Sequence, residues 1–169
     1  RVAGAATAML LARRGHRVLL VDRAPIPSDT LSTHAVLRTG VLQLERWGLA
    51  TRITAAGTPV IRDIVLGFGD QRIRFEVKDE FSVDYLFAPR RYLLDGLLVE
   101  AAAEAGAEVR DRCRMRDVIR SDRRVEGITV EANGRTNRVT SRFVVGADGV
   151  RSRVASRVGA SVVSEHVPT

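Results

Sequence analysis

The chain is short of cysteine, lysine and long apolar runs, and each shortage removes a class of function. Its single cysteine, Cys113, excludes an internal disulfide framework and supplies no metal cluster. No apolar run is long enough to cross a bilayer and no signal-peptide pattern opens the sequence, so a soluble, cytoplasmic protein without a membrane span is the expectation. All but one of the 27 basic residues are Arg, Lys78 being the exception, a bias read as codon composition rather than binding. The formal net charge is +7, yet the Arg residues are scattered through strands and loops with neither a basic helix nor interleaved aromatics. A solvated basic surface is therefore favoured over a nucleic-acid partner. There is no Ser/His/Asp set, no carboxylate pair and no metal-ligand spacing, and no catalytic residue is assigned. His34 stands alone in a polar cluster and reads as a hydrogen-bonding loop residue rather than a base.

What is present is organised around the first 22 residues. From Ala3 to Arg14, Ala6, Met9, Leu10 and Leu11 recur at helical spacing, and Gly15 follows as a stop behind Arg13 and Arg14, which suit a helix's negative end. Val18 to Val21 is a continuous apolar run, as expected of a parallel strand covered on both faces. Asp22 closes it at the position where a dinucleotide's ribose hydroxyls are held. A Rossmann unit needs a strand, a Gly-rich turn and then the helix, whereas this chain opens with the helix. A fragment is expected, with its first strand and first glycine before Arg1, Arg1 at the second glycine and Gly4 at the third. An ordinary helix packed on an ordinary strand is the alternative.

At 169 residues, 45% of them hydrophobic, the chain can form one good core or pieces of two domains. Arg23 to His34, with Pro25 and Pro27, is a structured loop leaving the carboxyl end of a parallel strand, which suits either a plain surface loop or one lying over a ligand. Arg38 to Trp47 is a second helix, with a shorter one over Ala50 to Ala56. Arg38 near its positive end is unfavourable by about 0.3–1 kcal/mol, which a phosphate would relieve, although an Arg in water costs little. Ile61 to Phe68 and Arg72 to Val77 alternate around a Gly-Asp turn as a β-hairpin, and Val83 to Phe87 adds a strand. The longest helix, Arg90 to Ala105, carries Arg90 and Arg91 in its first turn, where the anion argument recurs. A strand at Ala107 to Asp111 precedes a β-meander over Cys113–Ser121, Arg124–Ala132 and Thr136–Thr140, with turns at Asp122-Arg123 and Asn133-Gly134. Phe143 to Val145 is the last parallel strand, running into Gly146-Ala147-Asp148-Gly149, with a short helix from Arg151 and Ser152.

The order of these pieces, with Arg91-x-x-Leu94 and Gly146-Ala147-Asp148-Gly149-x-x-Ser152, resembles the amino-terminal part of FAD-dependent aromatic hydroxylases. These are flavoprotein monooxygenases of the para-hydroxybenzoate hydroxylase type, with geranylgeranyl reductases and flavin halogenases as relatives. The resemblance implies an α/β fold: a Rossmann-like FAD-binding parallel sheet, an inserted antiparallel β-meander and the start of a β-rich substrate domain. The FAD-binding part would take residues 1–59 and 89–158, the substrate domain would start at 60–88, and 159–169 would connect onward. By the same resemblance Gly4 serves the diphosphate turn, Asp22 and Arg23 the adenosine ribose, and the backbone near Met115 the adenine. Arg38 and Arg91 face the phosphates and ribityl, and Asp148 and Gly149 form a motif shared by FAD and NAD(P)H. Ala155 departs from the Arg usual at that place, leaving Arg153 or Arg157 to substitute. The implied activity is oxygen transfer from O2 to a small substrate at the expense of NAD(P)H; because the missing strand would be central in the Rossmann order and its absence leaves backbone unpaired, the fragment alone is expected to be inactive and a poor binder of FAD. A reductase or halogenase of the same fold, or a flavin-free NAD(P)-binding dehydrogenase, are the alternatives.

Overall fold

The structure is a computed structural model that describes residues 2–30, 35–122 and 124–164. Arg1, His34 and Arg123 lie outside the described residues. The chain divides into two compact units, Arg1–Ile26 with Leu98–Thr169, and Pro27–Leu97.

The first unit begins with α1 (Val2–Arg13), whose Ala5, Ala6, Ala8, Met9 and Ala12 are buried. It ends where Gly15 N–H reaches Ala12 O at 2.8 Å and His16 N–H reaches Leu11 O at 3.2 Å, satisfying carbonyls that the helix leaves open. β1 (Leu19–Val21) then pairs in parallel with β6 (Glu108–Arg110), in the register Leu20↔Val109. Between them in sequence runs α4 (Arg91–Glu104), which crosses the division of the two units at Leu97 and contributes buried Leu98, Ala101 and Ala102 to this one. A parallel pair needs such a crossover, because a tight turn cannot reverse direction twice.

The meander is an antiparallel sheet of β7 (Arg114–Ser121), β8 (Arg124–Ala132) and β9 (Arg135–Thr140). Asn133 takes φ 51° in the β8–β9 turn, as expected of an Asn-Gly hairpin. Register shifts interrupt β7 between Met115 and Asp117 and between Ile119 and Arg120. After β9 the expected last strand differs. Residues Phe143 to Val145 have no ladder partner among the described residues, and Phe143 and Val145 are 81% and 61% exposed. A strand is defined by its inter-strand hydrogen bonds, so a run of β-prone residues without a neighbour is only an extended segment. The chain closes with α5 (Arg153–Val158).

The second unit holds α2 (Arg38–Arg46) and α3 (Ala50–Ala55), whose Val41, Leu44, Ala50 and Ile53 are buried. β2 (Val60–Ile61) pairs with β5 (Leu86–Phe87), and Val36 bridges to Phe87. The strand expected over Val83 to Phe87 is confined to its last two residues. Phe81 and Ser82 sit at φ 58° and 63°, so Val83 turns back to exchange hydrogen bonds with Glu80 at 3.1 and 3.2 Å instead of extending the ladder. The expected hairpin is β3 (Asp63–Phe68) and β4 (Gln71–Glu76), with Ile64 opposite Phe75 and Leu66 opposite Ile73. Period-two alternation gathers those residues and Phe68 on one face, where Ile64 is half-buried and Leu66, Phe68, Ile73 and Phe75 remain exposed. Tyr85 meets Phe87 edge-on at 5.1 Å and donates to the Glu45 carboxylate, tying β5 to α2. Burial and then that carboxylate push the Tyr85 phenol up to about 12.

Candidate cofactor site

Three segments of the first unit meet at Gly4. It lies in the opening turn of α1, where a Cβ would stand 3.3 Å from Ala147 Cβ and 3.6 Å from Leu20 Cδ1. A larger residue at position 4 would wedge the helix away from β1 and from the turn at 146–149. The same crowding recurs one step on, since a Cβ on Gly146 would stand 2.8 Å from Val154 Cβ, bringing α5 hard against the turn. Gly149 adopts φ +86° with nothing within 4 Å of a would-be Cβ, so here the requirement is conformational.

Asp148 is held inside this turn. Its carboxylate accepts the Ser152 hydroxyl, the Arg153 N–H at 2.6 Å and the Val154 N–H at 3.2 Å. Ser152 in turn caps α5 by accepting Ala155 N–H at 3.0 Å. Burial pushes the Asp148 carboxyl up, but the Ser152 hydroxyl and the Val154 and Arg153 N–H groups outweigh it and hold the group below its ordinary range. The carboxylate thus fixes the turn's backbone, and the bare peptide at Gly149 is what the turn exposes. Ala155, where an Arg was expected, is spent on the cap, and Arg157 pairs with Asp117 at 3.7 Å.

Asp22 stands two residues beyond Leu20, at the carboxyl end of β1. Its N–H donates to Arg110 O at 3.0 Å and its carbonyl accepts Cys113 N–H at 2.8 Å. Its Oδ1 accepts Ala24 N–H at 2.8 Å, turning the chain sharply after the strand. Asp111 secures the same corner by accepting Ile26 N–H at 3.2 Å. Asp111 carried no signal in the sequence, because its partner lies 85 residues away. Arg23 is exposed beside this turn, and Met115 pairs with Val130 at the start of the first register shift in β7.

Arg38 and Arg91 belong to the other unit and are described within it. Arg38 donates to Lys78 O at 2.6 Å and pairs with Glu80 at 2.8 Å, and Arg90 pairs with Asp29. Arg91 grips Asp95 with two bonds, Nε to Oδ1 and Nη2 to Oδ2, both 2.8 Å. The cations that the sequence left at helix starts therefore have carboxylates of their own, and the argument that they need an outside anion loses its force. Asp95, 1% exposed, was missed although the i,i+4 spacing from Arg91 on a helix would have found it.

The first unit fits a dinucleotide. The start of α1 offers N–H groups with no acid in the first turn, the small residues Gly4 and Ala147 let backbone come close, and an acid ends the adjoining strand. Such an arrangement defines a dinucleotide-binding α/β protein. More narrowly, the chain belongs to the FAD binding domain family, which matches residues 2–168. A flavin-free dehydrogenase does not describe that family.

Relatives extend the assignment. The chain is 31% identical to 6-methylpretetramide 4-monooxygenase of Streptomyces rimosus, over 94% of this chain and 29% of that protein. It is 29% identical to digeranylgeranylglycerophospholipid reductase 2 of Methanopyrus kandleri, over 93% of this chain and 37% of that protein. In structure it is similar to the myxobacterial chondrochloren halogenase CndH, an FAD-dependent halogenase, with a TM-score of 0.78, 27% identity and coverage of 91% of this chain and 36% of that one. The chain therefore spans between a quarter and two-fifths of the length of these proteins. No described helix is long and apolar enough to cross a membrane.

Proposed function

We propose that the chain is the FAD-holding part of an oxidoreductase, an NAD(P)H-using monooxygenase that hydroxylates a small organic or aromatic substrate with O2. The observation that carries this reading is that a Cβ at position 4 would stand 3.3 Å from Ala147 Cβ, beside the strand that Asp22 follows. Bare backbone from two corners then lies close enough to hold one diphosphate, and an acid stands where the sugar would follow. In this reading Gly4, Asp148 and Gly149 hold the diphosphate through backbone. Asp22 and Arg23 hold the adenosine ribose, the peptide at Met115 borders adenine, and Arg38 and Arg91 meet phosphate and ribityl. Residues 1–59 and 89–158 form the FAD-binding part, 60–88 begin the substrate domain and 159–169 connect onward. The setting is cytoplasmic, with no nucleic-acid partner.

Bound FAD supplies the redox chemistry, and the chain's own residues bind it, orient it and keep water from it. Purified full-length protein is expected to be yellow and to release FAD on denaturation. A colourless preparation that takes up no added FAD overturns the reading.

The similarity to a reductase and a halogenase favours a second reading, that the same FAD part serves saturation or halogenation. Product analysis separates the three. A hydroxylated product with O2 uptake matched to NAD(P)H oxidation supports the monooxygenase, halide dependence the halogenase, and a saturated product without O2 the reductase.

A further inference from the structure

We propose that Asp95 is the positioning residue that presents Arg91 to the cofactor, an inference that rests on the reading of Arg91 as a cofactor residue. Asp95 is the buried charged residue of the described core, 1% exposed, whereas the Arg91 side chain keeps 21% of its surface. The pair is lopsided: the anion is sealed in and the cation is accessible. A carboxylate this deep is stable only when fully engaged, and Arg91 engages it with parallel bonds of 2.8 Å from Nε and Nη2. That grip uses two of the guanidinium's five donors and fixes its plane, leaving the Nη1 edge to meet an anionic or hydroxyl-bearing ligand. An Arg side chain otherwise loses several rotatable bonds' worth of freedom on binding, so holding it beforehand improves affinity without adding a contact.

The arrangement sits at the start of a long helix whose register fixes the pair, with Asp95 one turn below Arg91. The neighbouring Arg90 is different, being 80% exposed and bound to an Asp29 that is itself 46% exposed. Side by side, one arginine is held by a buried group and the other by a surface one. Only the first has the built support expected of a ligand-binding side chain.

The test is a double-mutant cycle on FAD affinity in the full-length protein, read by flavin fluorescence quenching, with thermal unfolding followed in parallel. Asp95→Asn is expected to weaken FAD binding several-fold, up to about tenfold. Arg91→Gln, which keeps an N–H donor for Asp95, is expected to weaken it at least as much. Adding Asp95→Asn to Arg91→Gln is expected to change FAD affinity no further. Equal weakening by Asp95→Asn with and without Arg91 would mean that Asp95 acts through packing alone and overturns the inference, as would full FAD affinity in Asp95→Asn. Unchanged affinity in Arg91→Gln would instead remove Arg91 from the cofactor site, and the inference with it. Should Asp95→Asn fail to fold, Asp95→Glu retains the charge and displaces it by one methylene, and the same loss of affinity is expected from it.

Discussion

The two units of this protein build with opposite materials. In the unit of α1, β1, the meander and α5, the candidate site is made of what is left out: no Cβ at Gly4 or Gly146, and only a methyl at Ala147. In the unit of α2, α3 and the hairpin, the residues of interest are arginines, each held by a carboxylate. The contrast teaches where each is fragile. Close packing of backbone is indifferent to salt and to most pH changes but intolerant of a single added group. Ion pairs tolerate substitution at the surface and fail where one partner is buried.

Five experiments test that contrast. The largest effect is expected from Arg91→Ala, which removes both bonds that Arg91 makes to the buried Asp95 carboxylate. About 3 kcal/mol of stability should be lost in urea unfolding, the low end for a buried pair because Arg91 is itself 21% exposed. A loss below 1 kcal/mol would place this pair with the surface ones. Next comes Gly146→Val, whose Cβ would meet Val154 at 2.8 Å. Overpacking of this kind costs about 1–3 kcal/mol, and FAD uptake should fall with it. Retention of wild-type FAD affinity would argue that the turn can open without harm to the site.

Asp148→Ala removes the acceptor shared by Ser152, Arg153 and Val154, and a loss of about 1 kcal/mol is expected, as for a helix cap. The pH dependence has a definite sign. Asp148 is held below its ordinary value of 3.8 when folded, so its contribution is complete above that value and disappears as pH falls through the lower folded one. Thermal unfolding of wild type against Asp148→Asn should show a gap that is constant from neutral pH down to about 4 and narrows only in stronger acid. The smallest effect belongs to Glu80→Gln. Arg38 and Glu80 are 34% and 49% exposed, and the change should cost less than about 1 kcal/mol and vanish in high salt.

Much of the first unit was legible in advance because its signals are local. Gly15 behind a helical run, an apolar strand ending in Asp22 and Asn-Gly between alternating runs each act within a few residues, and α1, β1 and the β8–β9 hairpin formed there. The carboxylate partners of Arg38 and Arg90 were hidden for the converse reason. A cation at a helix start looks unpaired when its carboxylate is 61 residues away, as Asp29 is from Arg90. Phe143 to Val145 misled in a third way, since β propensity describes fitness for a pleated surface and says nothing of whether a neighbour is there. Val83 was lost to a turn at Phe81 and Ser82, two residues that rarely adopt left-handed φ.

The amino-acid sequence alone determined most of the periodic elements and their turns, because helical spacing, strand alternation and glycine punctuation are decided over a turn or two of chain. The folded chain settled which carboxylates Arg38 and Arg90 take, that Gly4 lies against Ala147, and that Asp111 secures the corner after β1. These depend on which distant segments come within a few ångströms of each other, and hydrogen bonding and close packing respond to that distance rather than to separation along the chain.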